Sequence, residues 1–223
     1  MSKLLIINLN IDPGEGAGCA RIDAELRRLA RPGTDIVTRP FAQVRSDPRG
    51  CLSGVRGLVL GPQGTPFAAY DAAFLPWVRR LVEDFRGPIL GICGGMQALA
   101  LAHGGRVAPA HGKVQGNDYV GLRKILGPLE VELDLDALPS WLPPGLARNW
   151  QDTGGRVEQS HVEQVTALPP PWRTVAHSAP TPIEAFAHPE RPILASQFHP
   201  ERGWDAGCDA GRLWLETWLQ LLE

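Results

Sequence analysis

The chain has little of what marks several protein classes. Its four cysteines, Cys19, Cys51, Cys93 and Cys208, lie far apart with no C-x-x-C spacing. That argues against a disulfide framework and against a cysteine-based zinc site, and reduced thiols in a cytoplasmic protein are the expectation. Net charge is small: Lys plus Arg number 22 and Asp plus Glu 24, a balance of −2. Such a balance gives no case for a nucleic-acid or membrane-surface partner. No apolar run approaches the ~20 residues of a membrane helix. The opening stretch MSKLLIINLNID is apolar but short, is broken by Asn8 and Asn10, and has no cleavage-site pattern. It reads as a first strand and not as a signal peptide. No internal repeat, low-complexity tract or linker interrupts the chain, and one domain over 1–223 is expected. His103, His177 and His188 show no metal-like grouping. The loop Asp12 to Gly18 lacks G-x-x-x-x-G-K-[ST] and reads as a glycine-rich turn into a helix.

What is present is an alternation of strands and helices. The apolar fraction is 43% and the charged fraction 21%, ordinary for a globular chain of this length. Lys3 to Leu9, Thr34 to Phe41, Val55 to Gly61 and Pro88 to Ile92 read as strands. Arg21 to Ala30, Ala68 to Phe85 and Gln97 to His103 read as helices. This order predicts an α/β fold, an open and mostly parallel sheet covered on both faces. The second half changes character. Leu129 to Leu135, Arg156 to His161, Thr174 to His177, Ile183 to His188 and Ile193 to Phe198 are strand candidates, giving a smaller antiparallel set. Leu138 to Trp150, with three prolines and two tryptophans, reads as a structured loop or lid. Arg212 to Leu222 reads as a terminal helix with Leu215, Trp218 and Leu222 inward.

Two segments carry chemistry. In Gly91-Ile92-Cys93-Gly94-Gly95-Met96-Gln97 an apolar strand runs into a tight turn and then a helix. This setting lifts a nucleophile above the end of a sheet. Cys93 at a helix N-terminus has dipole and free N–H groups that favour a thiolate and an oxyanion. A buried structural cysteine in a glycine-rich turn is the alternative. In Ser196-Gln197-Phe198-His199-Pro200-Glu201 a strand ends at a histidine, at the sheet edge where ligands bind. Histidine is the natural base for a thiol, and Glu201 is placed to hold its tautomer. A surface histidine in a loop is the alternative there.

Together these segments resemble the class I (triad) glutamine amidotransferases. The family's G-x-C-x-G-x-Q is matched by Gly91, Cys93, Gly95 and Gln97, and its Q-F-H-P-E by Gln197 to Glu201. The separation of 199 − 93 = 106 residues fits. The resemblance implies a flavodoxin-like fold and a Cys93–His199–Glu201 triad that hydrolyses the glutamine side-chain amide through a thioester, with no metal or organic cofactor.

Weaker matches add to this. Leu60 to Pro66 sits where the family has a glycine-rich loop that supplies an oxyanion N–H beside that of Gly94. Here the run of glycines is altered, and the donor is Gln63 or Gly64. Ser160-His161-Val162-Glu163-Gln164-Val165 resembles the S-H-x-D-x-V segment of the GMP synthetase amidotransferase domain. The resemblance places Ser160, His161, Val162 and Gln97 around the substrate. Met96 stands where many members have His, as in CTP synthetase-like members. His111-Gly112-Lys113 resembles a segment of anthranilate and aminodeoxychorismate synthase glutaminase subunits. The chain has no S-G-G-x-D-S loop, so the resemblance implies a separate synthase subunit that accepts the ammonia. A stand-alone γ-glutamyl hydrolase with the same triad and a non-catalytic binding or regulatory module are the other readings.

Overall fold

Leu4 and Ile6 of strand β1 (Lys3–Asn8) face one core while Leu5 and Ile7 face another, all four essentially buried. That explains why the run is apolar throughout and does not alternate. Each such side chain contributes roughly 1.5–3 kcal/mol of burial free energy. The computed structural model describes residues 2–112, 119 and 121–222. After β1 come α1 (Ala17–Leu29), β2 (Asp35–Pro40), α2 (Phe41–Ser46), α3 (Pro48–Leu52), β3 (Val55–Leu60), α4 (Phe74–Asp84), β4 (Ile89–Ile92) and α5 (Gly94–Ala102). The second half holds β5 (Arg106–Pro109), β6 (Ile125–Glu130), β7 (Glu132–Leu133), α6 (Gly145–Asp152), β8 (Arg156–His161) and β9 (Glu163–Ala167). It ends with β10 (Arg173–His177), β11 (Ala185–Ala187), β12 (Ile193–Ser196) and α7 (Asp209–Gln220).

Eight strands form one sheet in the order β2-β1-β3-β4-β12-β11-β10-β7. The first five are parallel and the last three join antiparallel. β5–β9 and β6–β8 make two separate antiparallel pairs. The expected α/β class, mostly parallel with a smaller antiparallel set, is the fold observed. Ile22 and Leu26 of α1 and Trp214 and Trp218 of α7 fill one face. Phe74 and Val78 of α4 and Met96 and Leu99 of α5 fill the other.

Several expectations need correction. The helix expected over Ala68 to Phe85 starts only at Phe74, after a separate 3-10 turn at Phe67–Ala69. Pro76 explains this: its ring would clash with the carbonyl four residues earlier, whereas in the first turn its missing N–H costs nothing. The strand expected over Leu129 to Leu135 is two strands in different sheets. β6 pairs with β8, the chain crosses at buried Val131, and β7 pairs with β10. The loop or lid expected over Leu138 to Trp150 ends in α6, which packs on the core. Trp150 lies 5.8 Å from Trp214 and 6.2 Å from Phe198, ring to ring, and its Nε1–H donates to the Val131 carbonyl at 3.0 Å. Strands β5 and β9 and the short helices α2 and α3 were not anticipated. Lys113, of the His111–Lys113 segment, lies outside the described residues.

Candidate active site

The sheet delivers two chain ends to one place. β4 and β12 are parallel neighbours, with Ile92 beside Ser196. The residues after each strand therefore emerge together at the carboxyl edge. Cys93 follows β4 with φ 51° and ψ −105°, and it is the one non-glycine at positive φ among the described residues. An L-residue there costs of order 1–3 kcal/mol, and the surrounding structure must hold it. Its N–H donates to the Ser196 carbonyl at 2.7 Å, and its carbonyl accepts from Gln97 N–H at 3.0 Å.

The flanking glycines are required by close approach. A Cβ on Gly95 would run into the Leu60 carbonyl oxygen, and one on Gly94 would lie 2.7 Å from the Gln63 nitrogen. Gly95→Ala should destabilise the fold by about 3 kcal/mol, since backbone and not a flexible side chain must give way. Denaturant unfolding checks this; an unchanged midpoint would refute the packing argument.

His199 follows β12 and is 2% exposed. Its N–H donates to the Glu158 carbonyl of β8 at 2.8 Å, which fixes the backbone. Its Nδ1 lies 2.8 Å from Glu201 Oε1, and Glu201 is equally buried. Nδ1–H donation to the carboxylate leaves Nε2 for the sulfur. Burial alone would depress the His199 pKa, but the Glu201 carboxylate and the Cys93 sulfur reverse this and hold it up at about 10. Burial likewise pushes Glu201 up, and the facing imidazolium pulls it below the ordinary value. Arg202 Nε stands 3.3 Å from the same Glu201 oxygen.

Around Cys93 lie two adjoining hollows. One, of about 200 Å³, opens on His199 and Arg202 and is also lined by Asn10, Glu15 and Lys124. The narrower one is lined by Gln97, Tyr119, His161, Val162 and Glu163. Gln63, Gly64, Cys93, Lys124 and Ser160 border both. A larger cavity between α1 and α7, lined by Leu29, Thr34 and Leu219, contains no residue of the triad. Among the described residues, no group of three or more His, Cys, Asp or Glu side chains is placed to hold a metal ion, and no helix is long and apolar enough to cross a membrane.

The sequence profile of the family described as glutamine amidotransferase class-I matches residues 26–206. The chain belongs to the class-I glutamine amidotransferase family. It is 30% identical over 177 residues to a glutamine-hydrolyzing GMP synthase of Porphyromonas gingivalis, a match over 78% of this chain and 30% of that protein. It is 38% identical over 120 residues to a glutamine-hydrolyzing GMP synthase subunit of Pyrococcus abyssi, over 53% of each chain. The chain thus spans about a third to a half of these relatives' lengths. A crystal structure from Thermoplasma acidophilum, assigned as a GMP synthase subunit, superposes with a TM-score of 0.67 at 26% identity, over 99% of this chain and 95% of that one.

Of the site residues expected from the sequence, Cys93, His199, Gln63, Gly64, Gln97, Ser160, His161 and Val162 line the two hollows, Glu201 stands behind His199, and Gly94 begins α5. The structure refines several of them. The Gly64 N–H is committed to Asn10 Oδ1 at 2.9 Å, whereas the Gln63 N–H has no partner among the described residues and sits beside Gly94. Gln97 does not reach outward. Its Nε2 donates to the Glu163 carbonyl at 2.6 Å and to Gln197 Oε1 at 3.1 Å, and Gln197 Nε2 lies 3.6 Å from the Cys93 sulfur. His161 Nδ1–H donates to the same Glu163 carbonyl at 3.0 Å. Burial, reinforced by the nearby His199, pushes His161 down to about 4, so its ring is neutral. Cys19 is pushed up to about 12 by burial and is an inert core thiol.

The sequence reading missed Asn10, Glu15, Tyr119, Lys124 and Arg202. Tyr119 O–H donates to Glu163 Oε2 at 2.6 Å. Asn10 and Arg202 could have been found, because each sits just past a strand at the carboxyl edge.

Proposed function

We propose that the chain is a glutaminase component, which hydrolyses the side-chain amide of glutamine and passes ammonia to a separate synthase subunit. The observation that carries this reading is the buried Cys93–His199–Glu201 constellation, with Gln63 packed against Gly94, the residue that follows the sulfur-bearing one. His199, which Glu201 keeps in its imidazolium form, holds the proton that the Cys93 thiol gives up. The sulfur attacks the amide carbon, and the oxyanion is received by the Gln63 and Gly94 N–H groups, the latter left without an intrahelical partner at a helix start. His199 then gives its proton to the leaving nitrogen, the C–N bond breaks, and ammonia departs from the thioester. Water, deprotonated by the same imidazole, releases glutamate and restores the thiol. Because His199 borders only the wider hollow, the leaving group exits there and the glutamyl part occupies the narrower one, against Ser160, His161 and Val162.

Support for a separate acceptor comes from the relatives named as subunits: one is covered over 95% of its length by this chain. The unpaired cysteines suit a reducing, cytoplasmic compartment. A second reading, hydrolysis of γ-glutamyl amides by the chain alone, is favoured by the wider hollow, whose volume of about 200 Å³ exceeds what ammonia needs. Ammonia release from glutamine, measured beside a γ-glutamyl dipeptide panel, separates the two. Glutamine turnover that rises when a synthase subunit is added supports the first reading. Dipeptide cleavage at higher kcat/KM without any partner replaces it with the second, and a chain inert in both assays refutes both.

A further inference from the structure

Asn10 stands just past β1 and is 6% exposed, a buried amide hydrogen-bonded through both its oxygen and its nitrogen. Its Oδ1 accepts the Gly64 N–H at 2.9 Å. Its Nδ2 donates to Asn8 Oδ1 and to the Glu15 carbonyl, both at 2.7 Å, and stands 3.5 Å from the Pro62 carbonyl. Its own N–H donates to Asn8 Oδ1 at 3.0 Å. One side chain thus fixes the Gln63–Gly64 peptide by a hydrogen bond and stands 3.5 Å from the carbonyl of the Pro62–Gln63 unit. A trans peptide is planar, so with the Pro62 carbonyl on the Asn10 side the Gln63 N–H of the same unit points the opposite way. That N–H lies beside Gly94. The Gln63 side chain is folded back, its Oε1 accepting the Thr65 N–H at 2.6 Å, and does not compete for the position. Pro62 and Gln63 interrupt the glycine run expected in this loop, and the fixed geometry comes instead from a neighbouring strand end.

We propose that Asn10 is a positioning residue for the oxyanion site, aiming the Gln63 N–H at the developing negative charge. The proposal rests on the thioester chemistry argued above. Losing an oxyanion donor outright costs 10²–10³-fold in kcat, so misaiming one through Asn10→Ala should cost roughly 10–100-fold. KM should stay within about twofold, because the interaction exists only in the transition state. Alkylation of Cys93 by iodoacetamide passes through no oxyanion and should keep its rate.

Asn10→Asp gives a second, independent readout. Ionised, the carboxylate faces the carbonyls of Glu15 and Pro62 and loses activity. Protonated, it presents a C=O to Gly64 and a single O–H to one of the amide's acceptors, restoring part of the pattern. The ratio of Asn10→Asp to wild-type kcat should therefore rise as pH falls. A flat ratio, or alkylation falling in step with kcat in Asn10→Ala, overturns the proposal. Should Asn10→Ala fail to fold, the Asn10→Asp ratio decides. A wild-type chain without Cys93-dependent turnover overturns the glutaminase reading itself, a distinct result.

Discussion

Alanine in place of Cys93 should abolish ammonia release from glutamine while the chain stays folded. The sulfur is the only proposed nucleophile beside His199. The other described cysteines lie outside both hollows: Cys19 is buried in the core, Cys208 is buried with its thiol toward Glu158 Oε2 at 4.0 Å, and Cys51 lies half-buried on α3. Loss of activity should therefore reach background, and retained turnover would sink the assignment. The strained backbone at φ 51° adds a less obvious expectation. Glycine occupies positive φ freely, so Cys93→Gly should be more stable than Cys93→Ala by roughly 1 kcal/mol, though both are inactive. Chemical denaturation of the two variants measures it. A Cys93→Ala chain as stable as Cys93→Gly would mean that the turn stores no strain.

Glu201→Gln should have the next largest effect. The substitution keeps the shape of the side chain and removes its charge, leaving His199 buried without an anion. An amide can also present N–H to the ring and trap the wrong tautomer, which in the chymotrypsin-type triad costs about 10⁴ in kcat; a loss of roughly 10³–10⁴-fold is expected here. Alkylation of Cys93 by iodoacetamide should slow as well, because the imidazolium that steadies the sulfur's negative charge is lost.

Stability should follow the same group. His199 rises from an ordinary 6.5 to about 10 on folding. A group raised in this way contributes stability in full below its unfolded value and loses it as pH rises through the folded one. The stability gap between wild type and Glu201→Gln should therefore be widest between the ordinary carboxylate range and pH 6.5, should close as pH passes about 10, and should also narrow in acid as Glu201, held below its ordinary value, takes up a proton. A gap independent of pH would show that Glu201 acts by packing alone. Removing one partner of a buried pair costs about 3–5 kcal/mol, enough for denaturant titrations to resolve.

The candidate catalytic centre was legible because its proposed requirements fall on consecutive residues. The turn at Cys93 needs glycines where backbone meets backbone, and the base and its carboxylate are two positions apart. β1 and β12 were legible because both faces of these strands are buried. β9 was not, since Glu163, Gln164 and Thr166 give it no apolar pattern. The crossing at Val131 was hidden because alternation continues through it while the pairing partner changes. The Gly64 N–H is taken by Asn10, more than 50 positions away, and no local pattern announces such a contact. Tyr119 and Lys124 lie near the narrower hollow for the same long-range reason.

The adjacency of β4 and β12 also bears on how the protein matures. These strands touch in the sheet, yet His199 lies 106 residues after Cys93. Everything from β5 to β11 is synthesised between them. Such a non-local pairing closes slowly and late. On the ribosome the nucleophile is made long before its base exists, and the nascent chain carries an unassisted thiol until β12 docks. With Cys93 and His199 in the roles proposed above, competence requires the β4–β12 pairing to be complete.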